Sequence, residues 1–174
     1  MHSDSNLPVE INYFLEPGFI YVASGPACIS TVLGTCVSVC LYDKKLKIGG
    51  MNHFQLPYMD EPGKATARYG NAATLALARM MLGSHTKKKH LEAQIFGGAT
   101  SPNFDTKDIG QKNVMIAKRI LSKIGVPLVS EDVGGERGRK IVFDTHANEI
   151  AIMRVDKLRK GDWYPYLEDK TNRT

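Results

Sequence analysis

The sequence predicts a layered α/β (α+β) sandwich of mostly antiparallel strands carrying two main helices. Three observations predict it. Short runs rich in β-branched and aromatic residues fill the first part of the chain and its last third. Two stretches with helical spacing lie between them, each ending at a glycine. No repeat, low-complexity tract or Pro/Gly-rich linker breaks the 174 residues, so one domain over 1–174 is expected.

Residues 19–23 are apolar and β-prone and close on Ser24-Gly25-Pro26. Residues 28–33 and 35–42 read as the next strands, parted by Gly34. A turn centred on Lys44-Lys45 leads to a strand over 47–56, interrupted by Gly49-Gly50. The first helix spans 72–83, with Leu75, Ala76 and Met80 near helical period and Gly83 as its cap; Met80-Met81 reads as core packing. Residues 91–96 form a strand running into Gly97-Gly98. The second helix is clearer: Val114, Ala117, Ile120, Leu121 and Ile124 make one stripe, Gly125 closes it, and Asp108 with Gln111 resembles a capping box. Strands over 126–133, 140–144 and 149–155 follow, the last two joined by a turn at 145–148. Trp163, Tyr164 and Tyr166 in the polar tail are expected to pack back on the body.

Composition excludes several classes. At 43% hydrophobic and 24% charged residues the chain is an ordinary globular one. No apolar run approaches the ~20 residues of a membrane span. Met1 to Glu10 lacks the apolar core of a signal peptide, so a cytoplasmic location without membrane insertion is expected. The net charge of +5 favours an acidic partner, but no basic segment interleaved with aromatics reads as a nucleic-acid surface. Lys87-Lys88-Lys89-His90 reads as a solvated loop, as do the positions of His85 and His146. Of the three cysteines, Cys36 and Cys40 would lie roughly 13 Å apart along one strand, too far to share a tetrahedral metal, so neither metal nor cofactor is expected.

The hairpin carries the chemistry. If its turn is centred on Lys44-Lys45, Tyr42 faces Lys47 and Cys36 faces His53 on the same side; a bulge at Gly49-Gly50 would turn His53 away. Cysteine beside histidine is a recognised pairing for attack on a carbonyl. A free thiol at pKa ~8.5 is mostly protonated at neutral pH, and an imidazole can take its proton and return one to a leaving nitrogen. Gly34-Thr35 ahead of Cys36 leaves its backbone N–H as a candidate oxyanion donor. The competing reading is a cysteine buried as a small hydrophobe, which Cys28 and Cys40 keep, the latter with Gly49 opposite and no base. Asn52 and Gln55 flank His53 as candidates to meet a substrate amide, and Gly97-Gly98 could admit a substrate backbone, an ordinary turn being the alternative. Residues 134–138 with Arg137 and Arg139 lack the Gly-Lys-Ser/Thr of a phosphate loop and read as an ordinary solvated loop, a surface loop near the site being the alternative.

Leu33-Gly34-Thr35-Cys36-Val37 resembles the hallmark of the CheD family. The resemblance continues through Gly49-Gly50-Met51-Asn52-His53-Phe54, Arg68-Tyr69-Gly70 and Ile95-Phe96-Gly97-Gly98-Ala99. It then runs to Ile109-Gly110-Gln111-Lys112-Asn113, Asp132-Val133-Gly134-Gly135 and Gly138-Arg139-Lys140. These blocks keep family order over about 19–155, leaving 156–174 without a counterpart. Lys112 stands where an Arg is common, and Thr100-Ser101-Pro102-Asn103 where a Met is frequent.

The resemblance implies a layered α/β sandwich and a protein-glutamine glutaminase. Such an enzyme deamidates glutamines on chemoreceptor cytoplasmic domains at the receptor arrays. Cys36 and His53 take the catalytic positions, and a hydroxyl six residues before the Cys assists, which is Ser30 here, with Thr31 adjacent and also eligible. Some family members bind the phosphatase CheC, a further candidate partner. Two other functions compete: a Cys–His protease or transglutaminase, and a non-enzymatic binding module with an unreactive Cys36.

Overall fold

The computed structural model describes residues 11–83, 85–100 and 108–156. The readings made of Met1 to Glu10, of Ser101-Pro102-Asn103 and of the aromatic tail lie outside these residues.

Two sheets and two helices make a three-layer α+β arrangement. β1 (Ile11–Phe14), β3 (Ala27–Leu33), β8 (Gly138–Asp144) and β9 (Glu149–Val155) form a four-stranded sheet in the order β1-β3-β8-β9. β2 (Ile20–Val22), β4 (Val37–Asp43), β5 (Ile48–Asn52), β6 (Leu91–Gly97) and β7 (Leu128–Val133) form a five-stranded sheet in the order β2-β5-β4-β6-β7. Most neighbours are antiparallel; β1–β3 and β6–β7 are parallel, the latter joined through a helix as parallel pairs require. β1 left no hairpin signal in the sequence because its partner is reached in parallel.

α1 (Gly70–Leu82) and α2 (Ile109–Ile124) both pack on strands of the five-stranded sheet. α2 buries Val114, Ala117 and Leu121 as its stripe indicated, and Gly125 at φ 70° caps it in the left-handed region. Asp108 makes no side-chain cap, so the expected capping box is absent from α2. α1 turns a different face inward from the one read: Ala73, Leu77, Ala78 and Met81 are buried, while Met80 is exposed. Its sequence is apolar nearly all round, so periodicity could not select the face; the sheet does.

The β4–β5 hairpin is offset from expectation. Asp43 pairs with Ile48, and Cys40 with Met51 rather than Gly49. The loop is four residues because the Asp43 carboxylate accepts the N–H groups of Lys45 and Leu46 at 2.8 and 3.0 Å, and Lys47 turns at φ 57°. β8–β9 repeats the device, with Asp144 accepting from His146 and Ala147 and Asn148 at φ 59°. A slip of two residues preserves which face each side chain takes. No bulge interrupts the β4–β5 ladder.

Candidate active site

Three residues, Gly34, Thr35 and Cys36, carry the chain from the end of β3 in one sheet to the start of β4 in the other. Cys36 therefore lies between the sheets, 8% exposed, in an apolar cluster with Leu33, Met51 and Phe96. Its carbonyl accepts the Gly98 N–H at 2.8 Å, and the Gly34 carbonyl accepts the Ala99 N–H at 2.9 Å. This clamp explains the glycine pair. Gly97 at φ 105° would drive a side chain into the Cys36 carbonyl, and a Cβ on Gly98 at φ 67° would lie 2.8 Å from the Gly110 carbonyl oxygen of α2.

His53 lies just past β5, where its N–H bonds to the Phe19 carbonyl and its carbonyl accepts from Gly18. Val37 bridges to Phe54, in the same register as the hairpin below it, so Cys36 and His53 are diagonal neighbours rather than directly opposed. The imidazole is fully buried, and its Nδ1 is 2.8 Å from the Thr31 hydroxyl. That hydroxyl donates its single proton to the Leu15 carbonyl at 2.7 Å. It can therefore only accept from the ring, which places a hydrogen on Nδ1 and leaves Nε2 as the lone-pair nitrogen. Side chains alternate along β3, so Thr31 faces between the sheets and Ser30 points to the other side.

Burial sets the resting charges. It pushes the Cys36 thiol up to about 11, its own backbone N–H pulling the other way. It pushes His53 down to about 4, opposed by the Leu15 carbonyl. The pair rests as neutral thiol and neutral imidazole, and His53 Nε2 has no hydrogen-bond partner among the described residues. Cys40 is also raised by burial, and His53 Nε2 makes no hydrogen bond to either Cys36 or Cys40.

Residues 55–154 match the CheD family, described as CheD chemotactic sensory transduction. A Sulfurimonas denitrificans protein named probable chemoreceptor glutamine deamidase CheD is 39% identical over 147 residues, covering 83% of this chain and 94% of its own. One of the same name from Trichlorobacter lovleyi is 40% identical over 144 residues, 82% and 89% of the two chains. The chain belongs to the CheD family. A crystal structure of the Bacillus licheniformis hypothetical protein YfiH is a remote likeness, with a TM-score of 0.43, 12% identity and coverage of 60% of this chain and 46% of that one. The family model begins two residues after His53, so that match by itself does not include the Cys36–His53 pair.

Around the pair, this CheD family member places the remaining candidates unevenly. Asn52 is fully buried on the opposite face from His53, its Oδ1 accepting the Val39 N–H at 2.8 Å, and so braces β4. Gln55 is half-buried and accepts from Arg68 Nε at 3.0 Å. Two residues without an assigned role prove central to the local architecture. Asn113 on α2, fully buried, donates from Nδ2 to the carbonyls of both Thr35 and Gln55 at 3.0 Å, tying the segment before Cys36 to the segment after His53. Arg139, expected in a solvated loop, is 2% exposed. It pairs with Asp132 at 2.9 Å and donates to Gly134 and Gly97, so the 134–138 turn is pinned behind the Cys36 clamp. Asn113 leaves no spacing signal, since its partners lie 78 and 58 positions away, whereas Arg139 is held chiefly by its near neighbours Asp132 and Gly134.

Proposed function

We propose that the chain deamidates glutamine side chains of chemoreceptor cytoplasmic domains to glutamate, with Cys36 as nucleophile and His53 as base. It would act as one catalytic domain in the cytoplasm at receptor arrays, with a CheC-type phosphatase as a modulating partner. The observation that carries the reading is the Leu15–Thr31–His53 chain of hydrogen bonds, which engages Nδ1 and leaves Nε2 as the lone-pair nitrogen of a ring buried in the same layer as Cys36. A base must be unprotonated, and burial keeps this imidazole so at neutral pH.

The reaction needs one proton shuttle. His53 Nε2 takes the Cys36 proton as Sγ bonds to the glutamine Cδ, giving a tetrahedral oxyanion. The Cys36 backbone N–H, at the end of the crossover between the sheets, is the candidate donor to that oxygen. Collapse breaks the Cδ–N bond, the imidazolium proton passes to the leaving nitrogen, and ammonia departs from a thioester. Water, deprotonated by His53, then releases glutamate and returns the proton to sulfur. The relatives' names support the substrate class, and the neutral resting pair supports proton transfer during attack rather than a standing thiolate.

Mass spectrometry of a cognate receptor fragment tests this. Wild-type protein should add about one dalton at defined glutamines, and Cys36→Ala should add none, since triad-type enzymes lose nearly all rate with their nucleophile. A cognate receptor left unmodified by folded wild-type protein would rule the deamidase out.

A further inference from the structure

Outside the dyad, the surface of α2 carries a feature that the catalytic chemistry does not use. A groove of about 420 Å³ runs between Pro57-Tyr58 and a single stripe of α2 made by Lys112, Met115, Ile116 and Arg119. Tyr58 is 58% and Met115 62% exposed, and both line this one groove. Lys112 and Arg119 are exposed and form no ion pair among the described residues, whereas neighbouring Lys118 is held by Glu131 at 2.6 Å and Lys64 pairs with Glu61. The stripe has the i, i+3, i+4, i+7 spacing by which one helix receives another, and its two cations stand roughly 10 Å apart along the axis. Tyr, Met and Arg are the residue types that anchor interfaces. The groove also adjoins the site: Lys112 precedes Asn113, which bonds Thr35, and Pro57 follows two residues after Gln55, which Asn113 also bonds.

We propose that this groove docks an amphipathic helical segment of the protein substrate. Its apolar stripe would lie over Tyr58 and Met115, and acidic side chains two turns apart would meet Lys112 and Arg119. One glutamine side chain offers too little surface to select a protein, so selection requires contact beyond the reacting group. Charge complementarity fixes the occupant's chemistry: an apolar floor with unpaired cations at its ends fits a segment whose rim is acidic.

The proposal rests on the deamidase reading for its probe, a cognate chemoreceptor cytoplasmic fragment. Binding is therefore measured by anisotropy in the Cys36→Ala background, where no turnover is needed. Met115→Glu and the double reversal Lys112→Glu/Arg119→Glu should each raise the Kd at least about tenfold. In a Cys36-containing background the same changes should leave the melting temperature and the rate of Cys36 alkylation unchanged. Acidic-to-Lys changes in the fragment should restore binding to the double reversal. An unchanged Kd, or no binding to wild-type surface residues at all, overturns the proposal. So does weakening by Met115→Glu alone, which would mark a partner without acids. A dimer dissociated by Met115→Glu in sedimentation would assign the groove to a second copy and overturn it too. Binding that depends on the groove while wild type deamidates nothing would discard the deamidase and keep the groove; deamidation with a groove-independent Kd would do the reverse.

Discussion

The two faces of the five-stranded sheet are built on different principles. Toward the helices, Val37, Val39 and Leu41 meet Leu77, Met81, Ala117 and Leu121 in a cluster of apolar side chains. Toward the other sheet, Cys36 and Cys40 share the layer with Met51, Phe96 and Phe143, and His53 and Thr31 are buried alongside. The same strand, β4, serves both, since alternate residues point to opposite faces. The helix side is where burial can be spent freely on stability. The sheet side encloses a histidine whose Nε2 has no partner among the described residues, a cost in stability that the proposed role of His53 as a base would explain. Stability and chemistry are thus separated by the thickness of one sheet.

Paired substitutions would break that comparison most visibly. Cys36→Ala should abolish deamidation, by at least roughly 10³-fold, while unfolding free energy measured in urea shifts by no more than about 1 kcal/mol. Leu77→Ala should do the opposite. Its fully buried side chain leaves a cavity that costs roughly 2–5 kcal/mol, with kcat per folded molecule unchanged. If Leu77→Ala lowered kcat as much as it lowered stability, the separation of the two faces would be wrong.

Thr31 sharpens the contrast within β3. Thr31→Val keeps the shape but removes the acceptor for Nδ1–H, so the ring loses its fixed tautomer; kcat should fall roughly 10²-fold, at the lower end of what an oriented base contributes. Thr31→Ser should recover most of the rate. Ser30→Ala, on the other side of the strand, should change kcat less than twofold. Ammonia-release kinetics on a receptor fragment would read all three. A strong effect at Ser30 with none at Thr31 would contradict the hydrogen-bond chain.

Much of this was legible in the sequence, for reasons that differ by element. α2 announced itself because polar residues separate its stripe, whereas α1, apolar on most sides, hid its buried face. Cys36 and His53 could be put on one face because strand periodicity survives a two-residue error in register. The error came from reading Lys44-Lys45 as the whole turn. Asp43 was the missed signal: a carboxylate capping two following N–H groups sets a four-residue loop, as Asp144 does in β8–β9. Thr31 and Ser30 could not be separated by counting back from Cys36; the parity of β3 against the second sheet separates them. Asn113 was invisible as a site residue because its partners lie 78 and 58 positions away in the chain, whereas Arg139 was misjudged as solvated because an arginine in a glycine-rich turn gives no sign that Asp132 and Gly134 will bury it.

Asn113 is the next test in size. Its amide holds the carbonyls of Thr35 and Gln55 together, so Asn113→Ala should let the segments that carry Cys36 and His53 drift. A displacement near 1 Å would lower kcat roughly 10- to 100-fold, with KM for the receptor fragment nearly constant. The two carbonyls left unpaired should also lower stability, by about 1–3 kcal/mol. A change in KM alone would assign Asn113 to substrate contact instead.

The smallest effect is the pH dependence, and it tests the burial of the dyad directly. An ordinary histidine near 6.5 would make activity fall through the range in which the enzyme is assayed. Here burial lowers His53 to about 4 and raises Cys36 to about 11, so kcat/KM should vary less than about twofold between pH 6 and 9. Stability carries the same signature with a definite sign. Between the usual 6.5 and about 4, the unfolded chain binds a proton that the folded ring refuses. The contribution of His53 is therefore complete above about 6.5 and is lost as pH falls toward 4. Asp43 and Asp132, held below the usual carboxylate range, lose their contributions only at more acid pH, which leaves this window to His53. In thermal melts across pH 7 to 4.5, the melting temperature of wild type should fall relative to that of His53→Gln if the ring carries this penalty. Parallel melts, or a rate that halves near pH 6.5, would mean that the imidazole is solvated and the neutral resting pair does not exist.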